Sequence, residues 1–153
     1  MQPSIKNDLL YLLGILESIG KIELYVMFCS TADDFYYFNE QLNFNASLNL
    51  VANIGELCTK TSIELKNKYQ NIEWQKVKDF RNRIAHDYAG LNIYIVFKVI
   101  KMELPVLKEK IERIIKEELL LSNFDLEEIK VAQNSTFYSH VDFTKLVCTD
   151  RLT

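Results

Sequence analysis

The sequence has few of the residues that make tight turns, with 4 glycines and 2 prolines among 153 residues. A β-rich fold needs many such turns, whereas the plentiful Leu, Ile, Lys and Glu residues favour helices. The apolar content of 48% is sufficient to bury one sizeable core. The composition therefore predicts an all-α protein with one main domain.

Cysteine is scarce as well. Cys29, Cys58 and Cys148 are widely separated and form no C-x-x-C spacing, so neither a disulfide framework nor a metal site is expected, and neither Cys58 nor Cys148 lies in a nucleophile motif. The N-terminus lacks the basic segment and cleavage site of a signal peptide, and no apolar run approaches the roughly 20 residues of a membrane span. These absences favour a reduced, cytoplasmic protein without membrane association.

An overall excess of positive charge is also absent, since the net charge is -3 and the pI is near 5.5. Any contact with RNA must therefore be local. Between Lys60 and His86 there are seven Lys or Arg residues and three acidic ones, and Lys78 and Arg83 are the candidate RNA contacts in this stretch. Charge alone equally allows a solvated helix face there.

Apolar residues recur at three- and four-residue steps along the first part of the chain, which predicts amphipathic helices. The first helix spans Ile5 to Met27, and a short second helix starts near Thr31, whose hydroxyl can accept from a free amide. The third helix spans Gln41 to Thr59, and its Gly55 is explained by close helix packing. Its predicted inward residues are Leu42, Ala46, Leu50, Ile54 and Leu57.

The second part of the chain predicts two more long helices. One runs from Trp74 towards Gly90, with Asn71 as its cap. The next segment, from Leu91 to Glu103, is β-branched, but we expect a helix because the chain lacks strand partners for it. Pro105 should make this helix kink or restart.

Together these helices predict an antiparallel up-and-down bundle of four to six helices over residues 1–121. Residues 122–153 are polar and partly β-like in composition. We expect them to form a C-terminal extension, docked or flexible, in which His140 is a surface residue.

The run from Asp79 to Tyr88 brings Arg81, His86 and Tyr88 to the predicted end of one helix. An arginine binds phosphate oxygens through a planar fork of donors, and an imidazole can move protons near neutral pH. The pair therefore suits phosphate-ester chemistry on a nucleic acid. The structural alternative is an ion pair and a partner for the C-terminal helix dipole.

The Arg-x4-His-x-Tyr spacing in this run resembles the signature of the HEPN superfamily, specifically of the HepT-like toxins of HEPN/MNT toxin-antitoxin modules. Asn53 to Glu56 resembles the Ile-Gly-Glu element of the preceding long helix, and Leu104 to Leu107 is similar to the closing helix. The resemblance covers roughly residues 5–120 and does not extend to the last thirty residues or so.

The resemblance implies a symmetric homodimer that cuts RNA without a metal or another cofactor, with Arg and His from both protomers lining a cleft. In that mechanism His86 is the general base, or the acid, for attack of a ribose 2'-hydroxyl on the adjacent phosphate. Arg81 stabilises charge on the phosphoryl oxygens.

Helical geometry agrees with a dimer, because Arg81 and His86 lie roughly 140 degrees apart on a straight helix at about 100 degrees per residue. They meet one phosphate only if the helix frays around Ala85 or if a two-fold axis brings Arg81 of one subunit near His86 of the other. The dimer is the more economical explanation. Asn82, four residues before His86, is placed to orient the imidazole.

In HepT-like toxins the tyrosine of the signature is where the cognate MNT nucleotidyltransferase antitoxin attaches AMP. Carried to this chain, the resemblance makes Tyr88 the AMP acceptor, and a phosphate-bearing group there would block RNA and repel its backbone. The alternative is that Tyr88 only packs or hydrogen-bonds at the helix end.

A second class of function stays open, namely a non-catalytic HEPN helical module that binds a nucleotidyltransferase or a nucleotide without cutting RNA. The acidic net charge supports it. Asp87 disfavours the approach of a phosphate beside His86, although the same carboxylate favours a protonated imidazole.

Overall fold

The computed structural model describes residues 5–147, and the side chains of residues 8–147. Cys148 therefore lies outside the described residues. The α-helices of the described part are α1 (Ile5–Val26), α2 (Ala32–Tyr37), α3 (Leu42–Lys60), α4 (Ile63–Lys68), α5 (Trp74–His86), α6 (Ile93–Lys98), α7 (Leu104–Leu120) and α8 (Leu126–Gln133). No strand occurs between residues 5 and 147, and the predicted all-α class is confirmed.

Helix α1, of 22 residues, forms the centre of the bundle and packs against α3 and α7. Its apolar residues at three- and four-residue steps, Leu9, Leu12, Leu13, Leu16 and Ile19, are all buried. In the part of the chain that is described, none of the helices is long and apolar enough to cross a membrane.

The second helix begins where the sequence predicts. Thr31 is the N-cap of α2, and its hydroxyl oxygen accepts a hydrogen bond of 3.1 Å from the backbone N–H of Asp34. The start of α5 is different. The prediction that Asn71 caps this helix is wrong, because Glu73 occupies the N-cap position and makes no side-chain capping bond.

The buried face of α3 also differs from the prediction. Leu42 is 62% exposed, and of the five residues predicted to face inward only Ile54 is buried. The preceding corner consists of three non-glycine residues with positive φ, Asn39, Glu40 and Gln41. Left-handed backbone is rare outside glycine, so the sequence did not reveal this corner or the helix phase that it sets. The buried α3 side chains are Phe44, Ser47, Leu48, Val51, Ile54 and Cys58.

The β-branched segment is helical, as predicted, and α6 continues into α7 through one π-helical turn over Val99–Glu103. The N–H of Leu104 donates to the carbonyl of Val99, five residues earlier. Pro105 lies in the first turn of α7, where a missing N–H is tolerated. The restart expected at Pro105 is therefore a local widening of one continuous helix.

A buried carboxylate joins α1 to α4. Asp8 is fully buried. One of its carboxylate oxygens accepts a hydrogen bond of 2.8 Å from the backbone N–H of Ser62, and the other accepts one of 2.5 Å from the Ser62 hydroxyl. Ser62 in turn caps α4. Burial raises the pKa of Asp8 above its ordinary value of 3.8, and the two hydrogen bonds from Ser62 partly oppose that shift.

The chain after α7 returns to pack on the bundle. Phe124, Ile129 and Phe143 belong to the same core as α1. Glu17 is buried on α1, and its Oε1 atom accepts a hydrogen bond of 2.8 Å from the backbone N–H of His140. The same oxygen lies 2.7 Å from Nδ1 of the His140 ring. His140 therefore lies at the surface with its side chain 31% exposed, and the Glu17 carboxylate holds it against the bundle.

Candidate active site

The candidate site lies on α5 where this helix packs against α3. Ile84 of α5 is buried and Val77 is partly buried against the core. The two helices approach closely because residue 55 is glycine. A Cβ at Gly55 would lie 2.8 Å from the Cγ of Arg81 and closer still to its Cβ. The explanation of Gly55 by close helix packing is confirmed.

Two oxygen acceptors hold the guanidinium of Arg81. Its Nη2 atom lies 3.2 Å from Oε2 of Glu56 on α3, and its Nη1 atom donates 3.1 Å to Oδ1 of Asn82. The Arg81 side chain is 36% exposed. A guanidinium has five N–H donors, so donors remain for a further anion at the surface.

Asn82 does not have the predicted partner. Its side-chain oxygen accepts from Arg81, and within the described residues it makes no hydrogen bond with His86. The orientation of the imidazole by Asn82 therefore stays a prediction, since the described contacts of Asn82 are with Arg81. The four-residue spacing allows that contact, but the adjacent guanidinium is a stronger partner because it is charged.

His86 is the last residue of α5 and is exposed. The helix is intact through Ala85, so fraying does not bring His86 towards Arg81. The two side chains therefore leave the helix about 140 degrees apart, as helical geometry requires. Within one subunit the structure does not bring the arginine and the histidine together.

Tyr88 begins the 3-10 turn Tyr88–Gly90 directly after α5. Its ring is half exposed, and its hydroxyl donates to Oδ1 of Asn45 on α3. Sequence reasoning missed Asn45, because α3 carries several asparagines and nothing in their spacing marks one of them. Glu56 belongs to the Ile-Gly-Glu element, which marks it in the sequence, but the sequence does not indicate that it contacts Arg81.

Both candidate RNA contacts, Lys78 and Arg83, are exposed. Arg83 lines a groove of about 580 Å³ between α5 and the continuous α6–α7 helix, with Val51 and Ile54 of α3 among its lining residues. Three large apolar side chains of the α6–α7 wall are exposed: Ile95, Met102 and Val106. This apolar groove lies next to the candidate site.

Other reactive groups are separate from this region. Burial raises the pKa of the Cys58 thiol to about 12, which keeps it protonated at neutral pH. No group of three or more His, Cys, Asp or Glu side chains within the described part of the chain is arranged to hold a metal ion.

Comparison with known proteins identifies the family. The sequence model described as "Ribonuclease HepT-like" matches residues 15–114. A Methanocaldococcus jannaschii protein named "gamma-glutamylcyclotransferase and putative RNase" is 33% identical over 112 residues, which are 73% of this chain and 49% of that protein. A "putative RNase" of the same organism is 24% identical over 102 residues, 67% of this chain and 91% of that protein.

A "probable ribonuclease HepT" of Thermococcus cleftensis is 28% identical over 61 residues, 40% of this chain and 56% of that protein. No solved structure matches this chain. The chain spans about half the length of the first of these relatives. The family match nevertheless covers most of the bundle and includes the run from Arg81 to Tyr88. The chain therefore belongs to the HepT-like ribonuclease family of the HEPN superfamily.

Proposed function

We propose that this protein is a metal-independent endoribonuclease and the toxin of a HEPN/MNT toxin-antitoxin pair. The observation that carries the proposal is that α5 has both Arg81 and an exposed histidine, His86. Two oxygen acceptors hold the Arg81 side chain at the surface. A fixed guanidinium suits a phosphate, and an exposed imidazole is accessible to a ribose hydroxyl. Membership of the HepT-like ribonuclease family supports the same reaction.

The active form is a homodimer. Because α5 is intact, its two site residues leave the helix about 140 degrees apart, which argues against one phosphate bound by both within a single subunit. A two-fold axis near the end of α5 can pair Arg81 of one subunit with His86 of the partner subunit. The apolar groove and the exposed Ile95, Met102 and Val106 beside α5 suit the contact between two copies.

The proposed reaction needs only RNA and the protein. The ribose 2'-hydroxyl loses its proton to a general base and attacks the adjacent phosphorus. A 2',3'-cyclic phosphate forms, the bond from phosphorus to the 5' oxygen breaks, and a general acid protonates the leaving oxygen. In each site His86 is the general base or the general acid, and Arg81 stabilises the negative charge on the phosphoryl oxygens. Lys78 and Arg83 attract the flanking phosphates.

The antitoxin in this proposal is an MNT-type nucleotidyltransferase that modifies Tyr88. The tyrosine oxygen attacks the α-phosphorus of ATP, pyrophosphate leaves and the hydroxyl proton is lost. The half-exposed position of Tyr88 is compatible with such an attack. The product cannot donate to Asn45, and its phosphate repels the RNA backbone near Arg81.

The first test is cleavage of a mixed RNA pool in excess EDTA by the wild type and by His86→Ala. We expect cleavage with cyclic-phosphate ends by the wild type and a loss of about 10²- to 10⁴-fold in the variant. His86 is exposed, so the variant should keep its melting temperature. A wild type that carries no AMP on Tyr88 and leaves RNA intact would contradict the proposal and favour a non-catalytic binding module.

A further inference from the structure

The α3 face beside α5 carries the acidic partner of the candidate catalytic arginine. Glu56 contacts Arg81 across the helix interface at 3.2 Å. The Glu56 side chain is 43% exposed and the Arg81 side chain is 36% exposed. The pair is therefore open to a ligand and at the same time joined to the scaffold.

The contacts of Arg81 restrict its guanidinium in two directions. Glu56 binds Nη2 from the neighbouring helix, and Asn82 binds Nη1 from the same helix. A guanidinium is planar, so two acceptors on different terminal nitrogens define the orientation of its plane. The remaining N–H donors then have a fixed direction before any phosphate arrives.

The packing of the two helices makes the contact with Glu56 possible. The residue before it, Gly55, lies against the Cβ and Cγ atoms of Arg81, where an added side-chain atom has no room. This close approach places the Cβ and Cγ atoms of Arg81 against α3. The next residue on α3, Glu56, contacts the guanidinium at the other end of the same side chain. The pair thus depends on tertiary structure and not on neighbouring positions along one helix.

A second arginine pair in the chain provides the contrast. Arg113 and Glu109 lie 3.3 Å apart on α7, four residues from each other, with 63% and 72% of their side chains exposed. Such a pair along one helix contributes little and positions nothing else. The pair between Glu56 and Arg81 has a similar length but connects two helices at the candidate site.

From these contacts we propose that Glu56 is a positioning residue, which holds Arg81 in the orientation that binds the scissile phosphate. The inference rests on the proposed ribonuclease function. Glu56 touches no reacting atom and acts only through Arg81. Its removal leaves the arginine charge in place but frees the guanidinium to adopt other rotamers.

The test compares Glu56→Ala, Glu56→Gln, Arg81→Ala, the double variant Glu56→Ala with Arg81→Ala, and the control Glu109→Ala on one oligoribonucleotide in EDTA. We expect Glu56→Ala to lower kcat by about 10- to 100-fold, because a misplacement of about 1 Å costs up to 10²-fold. Glu56→Gln keeps an oxygen acceptor and should retain most of the activity. Glu109→Ala removes the matched surface pair and should behave as wild type.

The double variant identifies the route by which Glu56 acts. If Glu56 works only through Arg81, adding Glu56→Ala to Arg81→Ala causes no further loss, so the two effects are not additive. The Nε–H resonance of Arg81, assigned by its absence in Arg81→Ala, should be sharp in the wild type and broadened or shifted towards free arginine in Glu56→Ala. A merely structural role would change the melting temperature and leave this signal as it is.

Two results overturn the inference while the wild type cleaves RNA. One is a Glu56→Ala protein with the wild-type kcat and an unchanged Arg81 signal. The other is a further loss when Glu56→Ala is added to Arg81→Ala. A wild type that cleaves no RNA instead contradicts the ribonuclease itself, and the inference with it, so the two failures are distinguishable.

Discussion

Complementation between two inactive variants tests whether the active site is shared between subunits. Arg81→Ala and His86→Ala each remove one group from every site, and each homodimer should lose about 10²- to 10⁴-fold in activity. In a heterodimer of the two, one site lacks both groups and the other keeps Arg81 from one subunit and His86 from its partner. About half of the wild-type activity should return, since one of two equivalent sites is complete.

The expectation follows from the helix that carries both residues. Over five residues an α-helix turns by about 500 degrees and rises about 7.5 Å, so Arg81 and His86 point in directions about 140 degrees apart. Because α5 remains α-helical to His86, no local rearrangement reduces this angle. A shared site is the arrangement that this geometry permits.

The assay uses two affinity tags to isolate the heterodimer and follows cleavage of a fluorescent oligoribonucleotide in EDTA. The matched control pairs one wild-type subunit with one subunit carrying both Arg81→Ala and His86→Ala. A shared site makes this control inactive, because each of its sites lacks one group. If the control is active and the complementing heterodimer is not, both groups act from the same subunit and the reasoning from helical geometry is refuted.

Three further predictions concern the scaffold. Gly55→Ala places a methyl group against Arg81 and should destabilise the fold by about 1–3 kcal/mol in urea unfolding, whereas a neutral effect would contradict the close packing. The pKa of buried Asp8 is raised, so its contribution to stability is best below pH 3.8 and declines as pH rises through the folded-state pKa. In urea unfolding from about pH 3 to pH 7, the free energy of unfolding of Asp8→Asn should therefore rise relative to that of the wild type as pH increases. A difference in this free energy that stays constant with pH would contradict the prediction. Met102→Lys in the groove wall should weaken the dimer in light scattering and Val131→Lys on α8 should not, and equal masses for both would exclude this face as the dimer contact.

Local patterns in the sequence were sufficient to locate the long helices of the bundle and the residues of the signature, but not the short helices α4 and α8. The three- and four-residue steps of α1 identified its buried face, and Thr31 marked the start of α2, because both depend on neighbours within a few residues. The same local rule located Arg81 and His86 on one helix, and Tyr88 follows that helix in a 3-10 turn. Their order along α5 also determined that the arginine and the histidine diverge.

The tertiary structure decided what surrounds these residues. The left-handed corner before α3 shifted its buried face, and no local propensity predicts three such residues in sequence. The partners of Arg81 and Tyr88, namely Glu56 and Asn45, are distant in sequence and meet them only because α3 and α5 pack closely at Gly55. Contacts between distant segments depend on the packing of the whole core, whereas the position of a residue on a helix depends only on its neighbours in the sequence. The sequence alone therefore identified the signature residues but not the residues that contact them.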